Sequence, residues 1–281
     1  MDFINIFNDI AENTLPLFKK YREEIKNLNI EIKNDKTLLT EADIKIQKVI
    51  IDIILKHDYN ANFIAEEEEI KRLNPANKFT WVIDPIDGTR PFTEKDNYEY
   101  CCSIGVLENG KPISAMIFMP EMGINRLPLL ATALNNTKEI FINGTLHNYT
   151  NDTDSNAAST TRESGSEPSN IEEYLEISGM KIKHRTTSQS IDLLRTAINI
   201  SPYSDIGVGH FKIFFRQRQK IWDGVPGICF NNVVGKVSVD SEGNEVLPFS
   251  NIFLNEKEPT SPAVLVAFPA DIDNVIRKTR I

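Results

Sequence analysis

The order of apolar and polar positions divides this chain into helices, strands and turns. Phe3, Phe7, Ile10, Ala11 and Leu15 recur at helical spacing, so a helix is expected from residue 3 to about 20, with Pro16 as the point where it bends or stops. Ala42, Ile46, Val49, Ile50, Ile53 and Ile54 mark one face of a second helix. Asn62-Phe63-Ile64 reads as a short strand running into four glutamates, Glu66 to Glu69, and residues 79–83 as an apolar strand. Residues 100–106 and 112–118 flank Asn109-Gly110, a dipeptide suited to the left-handed positions of a tight hairpin turn. Asn143-Gly144, after Ile140-Phe141, predicts a second tight turn.

Residues 145–169 are polar and low in complexity, and read as a loop or linker between an N-terminal half, 1–147, and a C-terminal half, 148–281. Beyond it the pattern predicts helices near 171–177 and 191–198 and a strand near 206–215. A helix should open at Trp222-Asp223, a strand lie near 263–267, and a last helix begin at about Ala270. Hairpins mixed with helices imply an α/β chain of stacked sheet and helix layers, not one purely parallel sheet.

Composition narrows the function classes. No run of about twenty apolar residues is present, so no membrane span is expected. Three cysteines, two of them adjacent at 101 and 102, cannot make a disulfide framework and point to a reducing cytoplasm. A net charge of −9 argues against a nucleic-acid polymer as partner. It also means that any phosphate handled here needs a local reversal of sign, which bound cations would supply.

The candidate chemistry lies in four acidic stations. Asp84-Pro85-Ile86-Asp87-Gly88-Thr89 ends the 79–83 strand with two carboxylates, a permissive glycine and a hydroxyl, although Asp-Pro and Asp-Gly also suit a plain turn. Thr40-Glu41-Ala42-Asp43 heads the second helix, where Thr40 could simply be the N-cap. Glu66 closes the Phe63-Ile64-Ala65 strand, and the glutamates after it could be a solvated helix start. Trp222-Asp223 stands at another helix start, with Pro226 suited to its first turn. Two carboxylates about 4 Å apart repel by roughly 4 kcal/mol at an effective dielectric of 20, so converging four of them without a cation would be costly. Hard cations such as Mg²⁺ take this kind of oxygen ligand.

These four stations, in this order and spacing, resemble the inositol monophosphatase family, the lithium-sensitive magnesium-dependent phosphatases. Asp84 to Thr89 matches the D-P-x-D-G-T signature, Thr40 to Asp43 is similar to T-x-x-D, Phe63 to Glu67 to F-I-G-E-E, and Trp222-Asp223 with Gly227 to W-D-x-A-x-G. The resemblance implies a stacked αβαβα sandwich, two to three Mg²⁺ ions and a small phosphorylated substrate. On it, Glu66, Asp84 and the Ile86 carbonyl would hold one ion, and Asp84, Asp87 and Asp223 a second. Glu66 and Thr89 would polarise the attacking water, and Asp43 would orient Thr89 or touch a third, looser ion. Asp87, Gly88, Thr89, Asp223 and Arg216 would touch substrate, and a homodimer is compatible with it. Arg216 stands near where inositol-binding members carry a glutamate, and Lys220-Ile221-Trp222-Asp223 is similar to the K-I-W-D of 3′(2′),5′-bisphosphate nucleotidases. Arg90 resembles the histidinol-phosphatase branch instead. A catalytically silent member that only binds a phosphorylated ligand is the alternative of another class.

Overall fold

The computed structural model describes residues 1–24, 30–32, 38–67, 71–149, 155–162, 166–184, 187–207 and 209–280. Helices α1 (Phe3–Glu23) and α2 (Glu41–His57) form the first layer, with the short antiparallel pair β1 (Ile30–Ile32) and β2 (Leu38–Thr40) between them in sequence. Of the predicted stripes, Phe7, Ile10 and Ala11 on α1 and Ala42, Ile46, Ile50, Ile53 and Ile54 on α2 are buried, Phe3, Leu15 and Val49 are half-buried, and Phe18 extends the buried face of α1. Pro16 lies inside α1 without ending it. The Thr40 side chain and residues Glu68 and Glu69 lie outside what is described, so the N-cap and the end of the glutamate run stay as sequence expectations.

The second layer is an eight-stranded sheet. Its strands are β3 (Asn62–Ala65), β4 (Lys71–Arg72), β5 (Phe79–Asp87), β6 (Cys101–Glu108), β7 (Lys111–Met119), β8 (Leu129–Leu134), β9 (Glu139–Ile142) and β10 (Thr145–Leu146), in the order β10-β9-β8-β7-β6-β5-β3-β4. Helix α3 (Thr89–Thr93) follows β5 directly. Both Asn-Gly turns form with left-handed backbone, φ 52° and 74° at Asn109-Gly110 and 47° and 76° at Asn143-Gly144.

A five-stranded sheet forms the fourth layer, ordered β12-β11-β13-β15-β14 from β11 (Ala157–Thr161), β12 (Lys181–Lys183), β13 (Ile213–Lys220), β14 (Val237–Val239) and β15 (Thr260–Ala267). Helices α5 (Gln189–Ala197) and α6 (Ile221–Val233) lie between the two sheets. Helices α4 (Asn170–Ile177) and α8 (Pro269–Thr279) cover the outer face, and α7 (Asn251–Leu254) is a short turn. The architecture is a stacked αβαβα sandwich. Where α5 and α6 cross they almost touch: a Cβ on Gly227 would lie 2.2 Å from Leu193 Cβ.

Two expectations need correction. The polar segment 145–169 is not all loop, because residues 157–161 form β11, an inner strand of the second sheet. Ala158 packs into the apolar core, while the buried Ser159 is satisfied by a hydrogen bond, its hydroxyl donating to Asp192 at 2.7 Å. The strand expected near 206–215 instead runs from Ile213 to Lys220. Its polar half is held by pairing with β15, Gln217 opposite Ala263 and Lys220 opposite Thr260.

Lys236 ties α5 to the approach to β13. Only 4% exposed, its ammonium donates to the carbonyls of Thr196, Phe211 (3.4 Å) and Lys212 (3.2 Å). Burial pulls its pKa down to about 8. Between that value and the unfolded one of about 10.4, the unfolded chain binds more protons, so this group makes stability rise with pH. Lys236→Met should therefore lose ground to wild type by up to about 1.4 kcal/mol per pH unit through that window. Urea melts of both proteins at pH 7.5, 8.5 and 9.5 measure it, and a gap constant with pH would refute it.

Candidate active site

Strand β5 carries the centre of the site. Residues 79–84 pair with β6 and 80–83 with β3, the register with β6 shifts between Asp84 and Asp87, and the two carboxylates come close together. Gly88 then takes φ 94°, where a Cβ would stand 3.0 Å from the Glu99 carbonyl and 3.1 Å from that of Thr187. No other residue turns the chain here without strain. Thr89 begins α3, and its hydroxyl donates to the Ile86 carbonyl at 3.2 Å.

Asp223 arrives from the first turn of α6, where the positive end of the helix dipole favours a carboxylate. Oxygens of Asp84, Asp87 and Asp223 lie within 4.8 Å of one another. Asp84 and Asp87 are buried and Asp223 half-buried. Burial first, then the charges of Glu66, Asp87, Asp223 and Asp43, push the Asp84 carboxyl well above its ordinary range. Burial and the neighbouring Asp87 and Glu66 do the same to Asp223, while Arg216 and Lys220 oppose them. Asp87 is raised by burial, against hydrogen bonds that favour its charged form.

Those hydrogen bonds come from a place the sequence did not mark. Asp87 caps the start of α5, accepting from the Ser188 hydroxyl (2.8 Å) and the amides of Gln189 (3.3 Å) and Ser190 (2.6 Å). The Gln189 side chain donates to Asp223 and accepts from Gln219 at 3.3 Å. The polar run around Ser188 preceding an apolar helical stretch is a helix-start signal, but nothing in it points to Asp87. Gln47 was likewise unmarked. Both ends of its amide bond the Glu67 backbone (2.6 and 3.0 Å), pinning the chain beside Glu66.

A cleft of about 580 Å³ opens over the carboxylates, lined among others by Glu66, Asp84, Ile86, Asp87, Gly88, Thr89 and Asp223. Arg90, Arg216, Arg218 and Lys220 form a basic side to it. Eight of the nine site residues marked in the sequence therefore meet in this cleft. Asp43 does not line it; 1% exposed, it acts on Asp84 through its charge from beneath. Glu66 lines the cleft but stands outside the tight trio of carboxylates.

The donor set fits a hard divalent cation. It offers carboxylate and carbonyl oxygens without a sulfur or imidazole among them. Asp84 Oδ1, buried and without a hydrogen-bond partner, is an acceptor that such an ion would satisfy. Fold and cleft together define a layered α/β protein whose carboxylates are grouped for a cation beside an anionic ligand.

The profile of the inositol monophosphatase family matches residues 2–267, and the chain belongs to that family. An inositol-1-monophosphatase of Rhizobium meliloti is 30% identical over 98 residues, covering 34% of this chain and 36% of the relative. The 3′(2′),5′-bisphosphate nucleotidase CysQ of Escherichia coli is 26% identical over 119 residues, 41% of this chain and 47% of its own length. These matches thus span about a third to a half of the two relatives. A fructose-1,6-bisphosphatase/inositol-1-monophosphatase of Thermotoga maritima is 28% identical over 233 residues, 80% of each chain. Among solved structures, the extragenic suppressor protein SuhB from Bartonella henselae shares the fold with a TM-score of 0.75 at 19% identity, covering 100% of this chain and 99% of that one.

Proposed function

We propose that this protein is a Mg²⁺-dependent phosphatase acting on a small phosphate monoester. The observation that carries the reading is Asp84 Oδ1, an unsatisfied buried acceptor within a trio of carboxylates at the floor of a basic-sided cleft. Asp84, Asp87 and Asp223, with Glu66 and the Ile86 carbonyl, would hold two to three ions. Bound Mg²⁺ would supply an activated water and neutralise charge on the phosphoryl and leaving oxygens. Glu66, beside Asp84 in the cleft, would polarise the attacking water together with Thr89. Asp43 supports Thr89 from below. The backbone of Gly88 and Thr89 holds the phosphate oxygens, and Asp87 is kept in place by the donors at the start of α5. Residues 1–147 supply these groups except Asp223, the donors at Ser188–Ser190 and the cations Arg216, Arg218 and Lys220, which come from 148–281. Three buried, unpaired cysteines suit a reducing compartment such as the cytoplasm; a homodimer is the expected assembly.

The basic side favours a second reading within the same chemistry, a substrate with another anionic group. Arg216, Arg218 and Lys220 all line the cleft, and Arg218 holds φ 53° within a strand, a conformation that costs a non-glycine residue about 1–3 kcal/mol. Phosphate release with Mg²⁺ from inositol 1-phosphate, 3′-phosphoadenosine 5′-phosphate, histidinol phosphate and fructose 1,6-bisphosphate, with and without lithium, tests both. Release should require Mg²⁺ and be most efficient with a bisphosphate, and Arg218→Gln should raise KM for that substrate about tenfold or more, the cost of a charge-assisted contact. No Mg²⁺-dependent release from any of them would leave a silent ligand-binding protein. Equal KM for mono- and bisphosphates would remove the second reading alone.

A further inference from the structure

Behind Asp87 lies a group of charged side chains that the chemistry above does not use. Glu99 precedes β6, which pairs with Asp87 through Cys101. Its carboxylate accepts from Lys183 (3.2 Å) at the end of β12, from Arg195 (3.1 Å) on α5, and from the hydroxyl of Thr187. Asp192, fully buried on α5, takes the same two cations at 2.8 and 3.2 Å and the Ser159 hydroxyl of β11. Arg195 is 4% exposed, reaches the Gly209 carbonyl at 2.8 Å and stacks on Phe211. Two carboxylates and two cations thus balance one another where β6, β11, β12 and α5 meet. Asp192 and Arg195 are buried, while Lys183 and Glu99 keep 22% and 20% of their side chains exposed. For the buried pair good geometry must offset lost hydration, and similar-sized apolar residues would often be as stable. A group of this kind therefore calls for a reason besides stability.

The reason lies in what Glu99 touches. Thr187 directly precedes Ser188, and Ser188, Gln189 and Ser190 are the three residues that donate to Asp87. Glu99 is thus a charged link between the chain beside Asp87 and the chain that carries its donors, alongside the Cys101–Ser188 (3.5 Å) and Ser190–Ser103 (3.0 Å) contacts. The carbonyls of Glu99 and Thr187 also enclose Gly88 from two sides, so the turn between Asp87 and Thr89 is fixed against the same two residues. The Glu99–Thr187 contact joins the chain entering β6 to the chain entering α5, next to Asp87.

We propose that Glu99 is a positioning residue for the cation site: anchored by Lys183 and Arg195, it holds Thr187, and through it the Ser188–Ser190 donors, so that Asp87 presents its oxygens in register with Asp84 and Asp223. The inference rests on the carboxylate trio being a cation site, as proposed above. Groups that orient metal ligands from behind typically matter by about 10- to 100-fold in affinity. Glu99 acts through one further residue, so the lower end of that range is expected.

The test is Mn²⁺ binding without substrate, followed by electron paramagnetic resonance, and Mg²⁺ binding by calorimetry, on wild type, Glu99→Gln, Thr187→Val, Thr187→Ser and the Glu99→Gln/Thr187→Val pair. Thr187→Val removes the hydroxyl without altering charge. It should weaken binding about tenfold, as should Glu99→Gln, while Thr187→Ser stays close to wild type. The double variant should be no weaker than the worse single one, since both break one link. If Glu99→Gln weakens binding and Thr187→Val does not, the effect is that of a charge at a distance and the proposal is wrong. Lower melting temperatures with unchanged affinity would equally overturn it, making the group a structural one. If Glu99→Gln fails to fold, Thr187→Val alone decides. Wild type that binds neither ion would sink the function proposed above, a result distinct from equal affinities among proteins that do bind.

Discussion

Asp84→Asn should abolish turnover and yet, in the presence of a chelator, melt at a higher temperature than wild type. Asp84 is 2% exposed, and burial and the charges of Glu66, Asp87, Asp223 and Asp43 all act to raise its pKa. Because its folded pKa lies above the unfolded value of about 3.9, its contribution is most favourable at low pH and is lost as pH rises through the folded pKa. At neutral pH the metal-free protein therefore carries a repulsion that asparagine removes. Metal-free wild type should gain stability relative to the variant as pH falls from neutrality through that raised pKa. Saturating Mg²⁺ reverses the order. A ligand at 100 times its Kd stabilises the state that binds it by about 2.7 kcal/mol, and the variant should show little of this shift. Phosphate release should fall about a hundredfold or more, since even groups behind a ligand cost up to that. Thermal melts in EDTA and in Mg²⁺, with phosphate release beside them, measure all of this. A variant that melts lower in EDTA, or shifts with Mg²⁺ like wild type, would contradict the cation reading of Asp84.

Arg22→Leu should cost about 1–3 kcal/mol, the penalty for leaving part-buried hydrogen-bonding groups without a partner. The guanidinium has five N–H groups, and the structure has five acceptors for it. Nε donates to Glu121 at 2.9 Å, Nη1 to the carbonyls of Phe92 (2.6 Å) and Glu94 (3.0 Å), and Nη2 to those of Lys95 and Asn97 (3.1 Å each). The rings of Phe92, Tyr98 and Tyr100 surround it. Leucine leaves four carbonyls and Glu121 short of a donor. Arg22→Lys should recover little, because an ammonium has three donors and no fork. Denaturant melts give the loss directly; a cost under about 1 kcal/mol, typical of an exposed ion pair, would show that the contacts are replaced by water.

The parts of the fold legible in the sequence are those whose causes are local. Asn109-Gly110 and Asn143-Gly144 announce their turns because the left-handed backbone excludes most other residues. The stripes of α1 and α2 are legible because one face meets a single apolar layer. Strand β11 was hidden because its buried Ser159 and Thr160 are themselves polar, Ser159 donating to Asp192, so no apolar alternation marks them. At the site, the carboxylates could be read from their motifs and the family likeness. Their supports could not: Ser188 lies about a hundred residues from Asp87, and Arg22 reaches acceptors around residue 94. Such pairings are decided by how the layers stack, and each partner alone is an ordinary polar residue.

The near-contact of Gly227 with Leu193 bears on more than packing. Helix α5 brings the donors that seat Asp87, and α6 brings Asp223, so the gap between the two helices is also the span between two of the carboxylates. That span is set by a hydrogen atom where every other amino acid has a carbon. The α5–α6 crossing thus behaves as a gauge block: its thickness is machined into the backbone, and the coordination distances of an ion held there would inherit that tolerance.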